Sequence, residues 1–401
     1  MEERLTSSSA PRPGTEPVPR VILTIVNDVG PTSMPFNEFV VYRAGHIPGE
    51  RHVVISWGGI DHERLRSTVP EAAARNITLL ATGGSLSRLR RLCVETLESL
   101  HREGNRVVVH LHQPKAGLMF HLVRASLPQP VAVLFTVHNA YDKYSWPNRV
   151  LSTVNYLLAA AVTFVSRSAE RAYPNWVRRW SRIPARAVPN GVDLDRVDAL
   201  LRALPEPSAP AARSSSAGLQ LVNVGRFVEQ KNHRFLIDLL AQLPDTMTLT
   251  LVGDGPLRPQ VLEWAQQRGI ANRVRFTGVV PREDVYRELL AADVFVSGSL
   301  WEGLPIAVLE AMALRRPVLL SDIGPHREIA EVGDGTRVLP LEVGSWAAEL
   351  KRWAADRTQI LAQLGARNRT TMEDHLSLER MHRSYTRVYE ELTTSHRREG
   401  R

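Results

Sequence analysis

The stretch LQLVNVGRFVEQKN, residues 219–232, decides the fold of the second half of the chain. Its apolar first half predicts a buried strand that ends at Val224, and Gly225 permits a tight turn directly after it. The pattern then predicts a helix that begins near Asn232. A strand that turns directly into a helix is the repeating unit of α/β sheets, so the stretch predicts a parallel sheet covered by helices.

The same alternation of short apolar runs and helical patterns continues in both directions along the chain. Such runs are typical of parallel strands that are buried on both faces. The pattern predicts an α/β protein with two doubly wound, Rossmann-like domains that face each other across a cleft, followed by a C-terminal helix. The predicted strands are residues 21–26, 52–57, 77–81, 107–111, 131–137, 161–165, 219–224, 247–252, 274–277, 294–296 and 318–320.

Changes in composition predict the domain boundaries. Residues 1–20 are polar and proline-rich, contain no secretory signal and are expected to form a disordered lead. Residues 204–217 (LPEPSAPAARSSSA) are typical of an interdomain linker. These features delimit an N-terminal domain at 21–203 and a C-terminal domain at 218–370. Residues 371–401 complete the chain, with a helix expected over 376–392 and a frayed tail at 393–401.

Charge and cysteine content indicate which partners and which cellular compartment the protein is suited to. The net charge is +8, of which residues 1–200 carry +7, and this excess favours an anionic partner such as a phosphorylated acceptor or a membrane surface. No nucleic-acid motif accompanies it. The single cysteine, Cys93, fits a reducing cytoplasm and is expected to be a buried core residue. The longest apolar run, residues 150–165, predicts a helix followed by a buried strand, so we expect a cytoplasmic protein, peripheral to the membrane at most.

Two cationic side chains follow the tight turn at Gly225. Arg226 offers a planar guanidinium and Lys231 a mobile point charge, a combination suited to a diphosphate. The alternative is that both are solvated loop charges. The loop therefore provides a candidate phosphate site that needs a second element.

The stretch EGLPIAVLE, residues 302–310, provides that element. Pro305 suits the first turn of a helix, and Gly303 permits close approach of the backbone to a ligand. The N-terminus of such a helix carries unpaired N–H groups and a partial positive charge, which favour phosphate. Glu302 and Glu310 are placed to hold different hydroxyl groups of one extended ligand. The alternative is that Glu302 complements the helix dipole and Glu310 is an exposed helix residue.

Together these motifs resemble those of the family-4 retaining glycosyltransferases, which have the GT-B fold. Glu302 and Glu310 match the family's E-x7-E signature, and Gly225, Arg226 and Lys231 match its donor loop. Further matching stretches are TVHN at 136–139, VPNGVD at 188–193, VGDGPL at 252–257, FTG at 276–278, ADVF at 292–295 and LEAMA at 309–313.

The resemblance implies roles for the matched charged residues. Arg226 and Lys231 would bind the pyrophosphate of a nucleotide-sugar donor and stabilise the charge on the departing nucleotide. Glu302 would contact the hydroxyl groups of the donor sugar, and Glu310 those of the ribose.

The resemblance also implies roles for neighbouring backbone and apolar residues. Gly225 would form the turn of the donor loop, and the backbone amides of Gly303 and Leu304 would cradle phosphate. Val279 and Val280 would lie where the family's base-contacting loop lies.

The resemblance implies one catalytic histidine and a group of acceptor-side residues in the first half. His138 follows the predicted strand 131–137, and the resemblance places it against the transferred sugar, with a structural histidine as the alternative. His110, His112 and Lys115 belong to a stretch that relatives share, and alternation puts both histidines on one face of a strand end. We expect a structural or acceptor-side role for them, because metal ligation would need further partners.

Two stretches depart from the family pattern. Gly30, in the loop expected over the cleft, is followed by Pro31 where relatives often have a second glycine. Arg316 precedes Pro317 where relatives usually carry glycine.

The function that the resemblance implies is retaining hexosyl transfer. A hexose or N-acetylhexosamine would move from a nucleotide sugar, most often UDP-linked in this family, to a hydroxyl of a small-molecule natural product, sugar phosphate or saccharide. No metal and no further cofactor is expected, and no oligomeric state is predicted. The alternatives are a nucleotide-sugar epimerase, a transferase acting on a lipid-linked or polysaccharide acceptor at the membrane, and a non-catalytic binding subunit. The Arg- and Ala-rich composition suggests a bacterial biosynthetic setting.

One further segment, residues 173–186 (YPNWVRRWSRIPAR), combines tryptophan with arginine. We expect a helix that packs its tryptophans inward and its charges outward, with contact to a membrane as the alternative.

Overall fold

The computed structural model describes residues 20–29, 39–60, 71–203 and 218–399, and within them the chain alternates strands and helices. The strands are β1 Arg20–Val26, β2 Glu50–Ser56, β3 Ile77–Ala81, β4 Arg106–Leu111, β5 Ala132–Val137, β6 Ala161–Phe164, β7 Ala185–Ala187, β8 Gln220–Val224, β9 Thr248–Val252, β10 Val274–Gly278, β11 Val294–Ser297, β12 Val318–Ser321 and β13 Thr336–Leu339. They form one sheet of order β3-β2-β1-β4-β5-β6-β7 and another of order β10-β9-β8-β11-β12-β13.

Helices connect these strands. They are α1 Tyr42–His46, α2 Glu71–Ala74, α3 Leu86–Arg102, α4 Pro114–Arg124, α5 Trp146–Leu158, α6 Arg167–Arg171, α7 Asn175–Ser181, α8 Leu194–Ala203, α9 His233–Ala241, α10 Arg258–Gln267, α11 Arg282–Ala291, α12 Ile306–Ala313, α13 Gly324–Glu331, α14 Val343–Ala355, α15 Arg357–His375 and α16 Leu378–Glu399. Because parallel strands need crossover connections, this alternation is what a parallel sheet requires.

The chain divides into two compact units. The first holds the described residues up to Leu111, residues 119–133 and those from 393 onward. In it, β1 pairs in parallel with β2 and with β4. Cys93 is fully buried on α3, which confirms the prediction for this residue. The same helix also buries Leu89, Leu97 and Leu100.

The second unit holds residues 112–118 and 134–392. Alternate residues of its six-stranded sheet enter two separate apolar clusters. Leu221 and Leu251 join one with α9, α10 and α14, whereas Val222 and Val252 join the other with α11 and α12. The sheet is therefore buried on both faces, as the continuous apolar runs predicted.

Two strands were not predicted from the sequence. β7 spans only three residues and contains Arg186, and β13 spans four and contains Arg337. Both pair with only one neighbour and lie at sheet edges. An edge strand is exposed on one side, so its sequence does not need the continuous apolar run that marks a central strand.

The C-terminal helix is longer than expected. Its apolar positions are buried as the spacing predicted, among them Met381, Tyr385, Val388 and Tyr389. The helix continues to Glu399, however, so the prediction that it ends at residue 392 is wrong. Residues 393–399 contain neither glycine nor proline, and polarity alone does not end a helix.

Other predictions along the chain have different outcomes. The run 150–165 is a helix followed by a buried strand, α5 and β6, as expected. In the described part of the chain, no helix has the length and apolar character needed to cross a bilayer. Residues 1–19 of the lead and the linker 204–217 lie outside the described residues, and the domain boundaries stay a prediction.

The expectation for the tryptophan segment is wrong. On α7, Trp176 is 55% exposed and Trp180 is 84% exposed. Val177, which is fully buried, occupies the inward side of this short helix instead.

Candidate functional site

The loop after β8 is built on contacts between backbones. The N–H of Gly225 donates to the carbonyl of Val252 at 2.9 Å, which ties the loop to the end of β9. Gly253 has a φ of +129°, and a Cβ atom there would lie 2.2 Å from the carbonyl oxygen of Gly225. Phe227 is fully buried and stacks on His233 with ring centroids 4.3 Å apart. The loop is thereby fixed in front of α9.

Arg226 and Lys231 differ in how they are held. The side chain of Arg226 is exposed and makes no hydrogen bond or ion pair within the described ranges. The stem of Lys231 passes over Gly225, where an added Cβ would meet its carbons at 3.1–3.3 Å. The Nζ atom of Lys231 lies 2.6 Å from Oε1 of Glu302. Lys231 is therefore fixed, whereas Arg226 is available to a ligand.

Glu302 is the centre of a buried polar cluster. Its side chain is 6% exposed, and its second carboxylate oxygen accepts from Nε2 of Gln230 at 3.0 Å. Gln230 also donates to the carbonyl of Trp301 at 3.0 Å. A buried carboxylate needs such partners, because desolvation of an unpaired charge is costly. Gln230 was not predicted, although its place beside Lys231 in the loop was the available signal.

The loop from Glu302 to Pro305 packs against the ends of two strands of the first sheet. A Cβ atom on Gly303 would lie 2.0 Å from the carbonyl oxygen of His138 and 3.2 Å from Cγ2 of Val165. Nδ2 of Asn190 donates to the carbonyl of Leu304 at 2.9 Å. Gly303 is thus required for the close approach, and the predicted residues His138 and Gly303 are neighbours within the second unit.

The helix that follows this loop begins without a side-chain cap. Pro305 occupies its N-cap position and accepts from the N–H groups of Val308 and Leu309 through its own carbonyl. Free N–H groups and the helix dipole give such an end a partial positive charge. The N-terminus of α12 therefore suits an anionic ligand next to Glu302 and Lys231.

Glu310 is buried rather than exposed. It is 5% exposed, so the alternative of an exposed helix residue is wrong. Its Oε1 atom accepts from Nε of Arg282 at 2.8 Å and from the hydroxyl of Tyr286 at 3.1 Å. Arg282 was not predicted. It begins α11 directly after the predicted base loop, in which Val279 is 74% exposed and Val280 packs against the core.

His138 pairs with another predicted histidine. Its Nε2 atom lies 3.2 Å from Nδ1 of His112, and the ring centroids are 5.4 Å apart. Burial lowers the pKa of His138 to about 4, so the ring is neutral at neutral pH. One ring nitrogen then donates and the other accepts.

The remaining acceptor-side residues are dispersed. His110 is buried in β4 and packs edge-to-face against Phe39, with centroids 5.5 Å apart. Lys115 is exposed in the first turn of α4 and makes no ion pair in the described ranges. Gly30 lies outside the described residues. No cluster of three metal-ligating side chains occurs among the residues that the structure describes.

A further histidine near Glu302 was not predicted. His326 is fully buried at the start of α13, and its Nδ1 atom lies 2.8 Å from the carbonyl of Ser321. Burial lowers the pKa of His326 to about 4, although the Ser321 carbonyl and Glu302 act in the opposite direction. No motif spacing marked this residue.

Comparison with known proteins adds independent evidence. The family model described as Glycosyltransferase Family 4 matches residues 50–196, and the model described as Glycosyl transferases group 1 matches residues 211–371. EpsF of Bacillus subtilis is 33% identical over 59% of this chain, and the match spans 65% of EpsF, less than two thirds. The UDP-Gal:alpha-D-GlcNAc-diphosphoundecaprenol alpha-1,3-galactosyltransferase of Escherichia coli is 26% identical over 77% of this chain and 79% of its own length.

A solved structure shows the fold. Anabaena Alr3699/HepE, crystallised with UDP and glucose, matches with a TM-score of 0.73 at 17% identity, over 93% of this chain and 100% of that one. The two parallel α/β sheets are therefore those of the GT-B fold, as the sequence predicted.

Proposed function

We propose that the chain, which matches both domain models, is a glycosyltransferase that moves a hexose or N-acetylhexosamine from a UDP-sugar to a hydroxyl group with retention of configuration. The glycosyltransferase domains favour this reaction over the epimerase and non-catalytic alternatives. The E. coli relative is named for a UDP-sugar, and the Anabaena structure contains UDP, which supports UDP as the nucleotide.

The observation that carries the proposal is the arrangement around Glu302. The second unit contains Lys231, which is held by Glu302; Arg226, whose side chain is exposed; and the N-terminus of α12, which has no side-chain cap. Three positive elements of this kind suit a diphosphate, and they stabilise the negative charge that develops as UDP departs. We assign the departing diphosphate to this place.

In this proposal Glu302 binds the hydroxyl groups of the donor sugar. Lys231 and Gln230 hold its carboxylate in one orientation, so that its remaining lone pairs are directed before the ligand binds. Prepositioned acceptors orient a substrate without reorganisation during the reaction. The neutral ring of His138, next to Gly303, supplies a hydrogen-bonding group rather than a charge on the sugar side.

The chemical step needs no nucleophile from the enzyme in this proposal. The acceptor hydroxyl attacks the anomeric carbon from the face that UDP leaves, and a phosphate oxygen of the donor takes its proton. The bond to the phosphate oxygen breaks as the new glycosidic bond forms. Arg226, Lys231 and the helix dipole replace a divalent cation, so we propose a metal-independent reaction.

The acceptor is a hydroxyl-bearing natural product, sugar phosphate or saccharide in this proposal. A lipid-linked acceptor is the second candidate, because α7 exposes two tryptophans and the E. coli relative is named for a lipid-linked acceptor. We propose a cytoplasmic enzyme in either case, since its nucleotide-sugar donor would be drawn from that compartment.

A thermal-shift screen tests the proposal. The purified chain is mixed with UDP-, GDP-, ADP- and TDP-sugars in EDTA, together with Arg226→Ala and the control Lys351→Ala, which removes an exposed charge on α14. We expect stabilisation by UDP-sugars that persists in the control and is lost in Arg226→Ala. Stabilisation by no nucleotide sugar, or an undiminished shift in Arg226→Ala, would contradict the donor assignment.

A further inference from the structure

Helix α7 presents an apolar and cationic surface. Trp176 and Trp180 are one helical turn apart, so they lie on the same side of the helix, 55% and 84% exposed. Val177, between them in the sequence, is fully buried and anchors the helix to the protein. Exposed tryptophans are uncommon unless they meet another surface.

The charges around these tryptophans are unbalanced. Residues 167–186 contain six arginines and one glutamate, Glu170. Glu170 pairs with Arg178 at 3.4 Å, whereas Arg171, Arg179 and Arg182 are exposed and make no ion pair in the described part of the chain. The surface around α7 is therefore cationic, because the single carboxylate of residues 167–186 is already paired with Arg178.

Packed aromatic side chains of α5 and of the segment before α7 support this helix. Tyr156 of α5 stacks on Tyr173, just before α7, with ring centroids 4.9 Å apart, and the hydroxyl of Tyr173 lies 2.9 Å from Oγ of Ser152. The end of α5 that carries Tyr156 also exposes Leu157 and Leu158, at 44% and 45%. Both helices border one depression that Tyr156 lines together with arginines of α7. Leu157 and Leu158 thus add exposed apolar area on the helix that borders the same depression.

We propose that this surface, Trp176 and Trp180 with Arg171, Arg179 and Arg182, docks the protein on an anionic lipid bilayer. Tryptophan rings favour the headgroup level of a bilayer, and arginines bind lipid phosphates there. Shallow apolar insertion combined with basic charge gives reversible binding, whereas either alone is marginal. Charge complementarity favours an anionic bilayer over a second copy of the chain, which would bring the same cationic surface against itself.

The surface is distinct from the residues assigned to the donor. None of its residues contacts Glu302, Lys231 or Glu310 in the described structure. Docking would keep the enzyme at a membrane, where hydroxyl groups of lipid-linked saccharides are concentrated. Docking would determine where the enzyme acts in the cell without altering its affinity for the donor.

Sedimentation with vesicles tests the proposal. The full chain is mixed with vesicles of phosphatidylcholine alone, or of phosphatidylcholine and phosphatidylglycerol in equal amounts. We expect binding to the anionic vesicles only, with a blue shift of tryptophan emission and loss at high salt. Trp176→Ser/Trp180→Ser should bind about tenfold more weakly or worse. Arg171→Gln/Arg179→Gln should bind about 25-fold more weakly, because each basic side chain adds roughly fivefold.

Matched controls separate this surface from the rest of the protein. Leu262→Ser removes an exposed apolar residue of α10, and Lys351→Gln/Arg380→Gln removes two exposed charges elsewhere. Both should bind vesicles like the wild type. Wild-type protein that fails to bind, or a tryptophan variant that binds equally well, would overturn the proposal. Self-association lost in the tryptophan variant, without vesicle binding, would overturn it in favour of a second copy.

The outcome is independent of the proposed reaction. Stabilisation by UDP-sugars is measured on the same samples and should be unchanged in every variant, which also shows that each is folded. If UDP-sugars stabilise none of the samples while vesicle binding follows the expected pattern, the donor assignment fails and the membrane surface stands.

Discussion

The Nζ atom of Lys231 lies 2.6 Å from Oε1 of Glu302, and the two side chains are 17% and 6% exposed. Three strands, three α-helices and their loops separate them in the sequence, yet the carboxyl ends of β8 and β11 bring them together. In the proposed reaction Lys231 contacts the diphosphate and Glu302 contacts the sugar. The contact between the two side chains therefore orients both parts of the donor.

Loss of Lys231 should affect stability as well as activity. Lys231→Met leaves the buried carboxylate of Glu302 without its cation, which should lower the free energy of unfolding by about 3 kcal/mol. The double variant Lys231→Met/Glu302→Gln removes the unpaired charge and should recover most of that loss, but not activity. Denaturant unfolding monitored by circular dichroism measures both. Equal stability of Lys231→Met and the wild type would contradict the pair's importance.

Gly303 should tolerate no side chain. In Gly303→Ala the new Cβ would lie 2.0 Å from the carbonyl oxygen of His138, so the loop before α12 must shift. We expect a loss of activity of about a hundredfold, since displacements of about 1 Å have such effects. Gly344→Ala is the control, because a Cβ there meets nothing within 4 Å. Steady-state kinetics with the identified donor compare them, and full activity of Gly303→Ala would show that the close approach is not required.

Removal of the charge on Glu310 should weaken nucleotide binding. The proposal gives Glu310 to the ribose hydroxyls, and a hydrogen bond to a charged group contributes about 1.5 kcal/mol or more, roughly tenfold in Kd. Glu310→Gln should therefore raise the Kd for UDP about tenfold in calorimetry, whereas Glu331→Gln, an exposed residue of α13, should not. An unchanged Kd for Glu310→Gln would assign Glu310 to its contacts with Arg282 and Tyr286 alone.

Acid should destabilise the protein through four histidines whose side chains are partly or fully buried. Burial lowers the pKa of His121, His138, His233 and His326 to about 4, from a usual value of 6.5. The unfolded chain then binds more protons than the folded one between these values, so stability falls as pH drops from 6.5 towards 4. His121 has no hydrogen-bond partner for either ring nitrogen within the described ranges. His121→Leu should therefore reduce the slope of Tm against pH. An unchanged slope would show that burial of His121 does not couple to pH.

Much of the fold was predictable because central parallel strands are apolar on both faces. Val222 and Val252 lie in short, mostly apolar runs, and a helix follows each run after a short loop. The edge strands β7 and β13 were not predictable, since Arg186 and Arg337 occupy them without cost at an exposed edge. The length of α16 was underestimated because the polar composition of residues 393–401 was interpreted as the end of the helix.

Arg226, Lys231 and Glu302 lie on the loops after the neighbouring strands β8 and β11, whereas most of the partners of the donor-side residues were not predictable. Gln230 stands beside Lys231 in the loop, whereas Arg282 bonds to Glu310 and His326 lies within the electrostatic influence of Glu302 only through the fold, without a fixed spacing in the sequence. The outward tryptophans of α7 were also missed. Helical periodicity shows which residues share a face, but in a short helix with one buried valine it does not show which face is covered.

The most direct test of the account is calorimetric titration of UDP into wild-type protein, Arg226→Ala and Lys351→Ala in EDTA. Arg226 is the exposed cation assigned to the diphosphate, so its loss should raise the Kd about tenfold to a hundredfold, without metal, while the control stays at the wild-type value. An equal Kd for Arg226→Ala and the wild type, or no binding of UDP to the wild type in EDTA, would contradict a metal-independent diphosphate site in this loop.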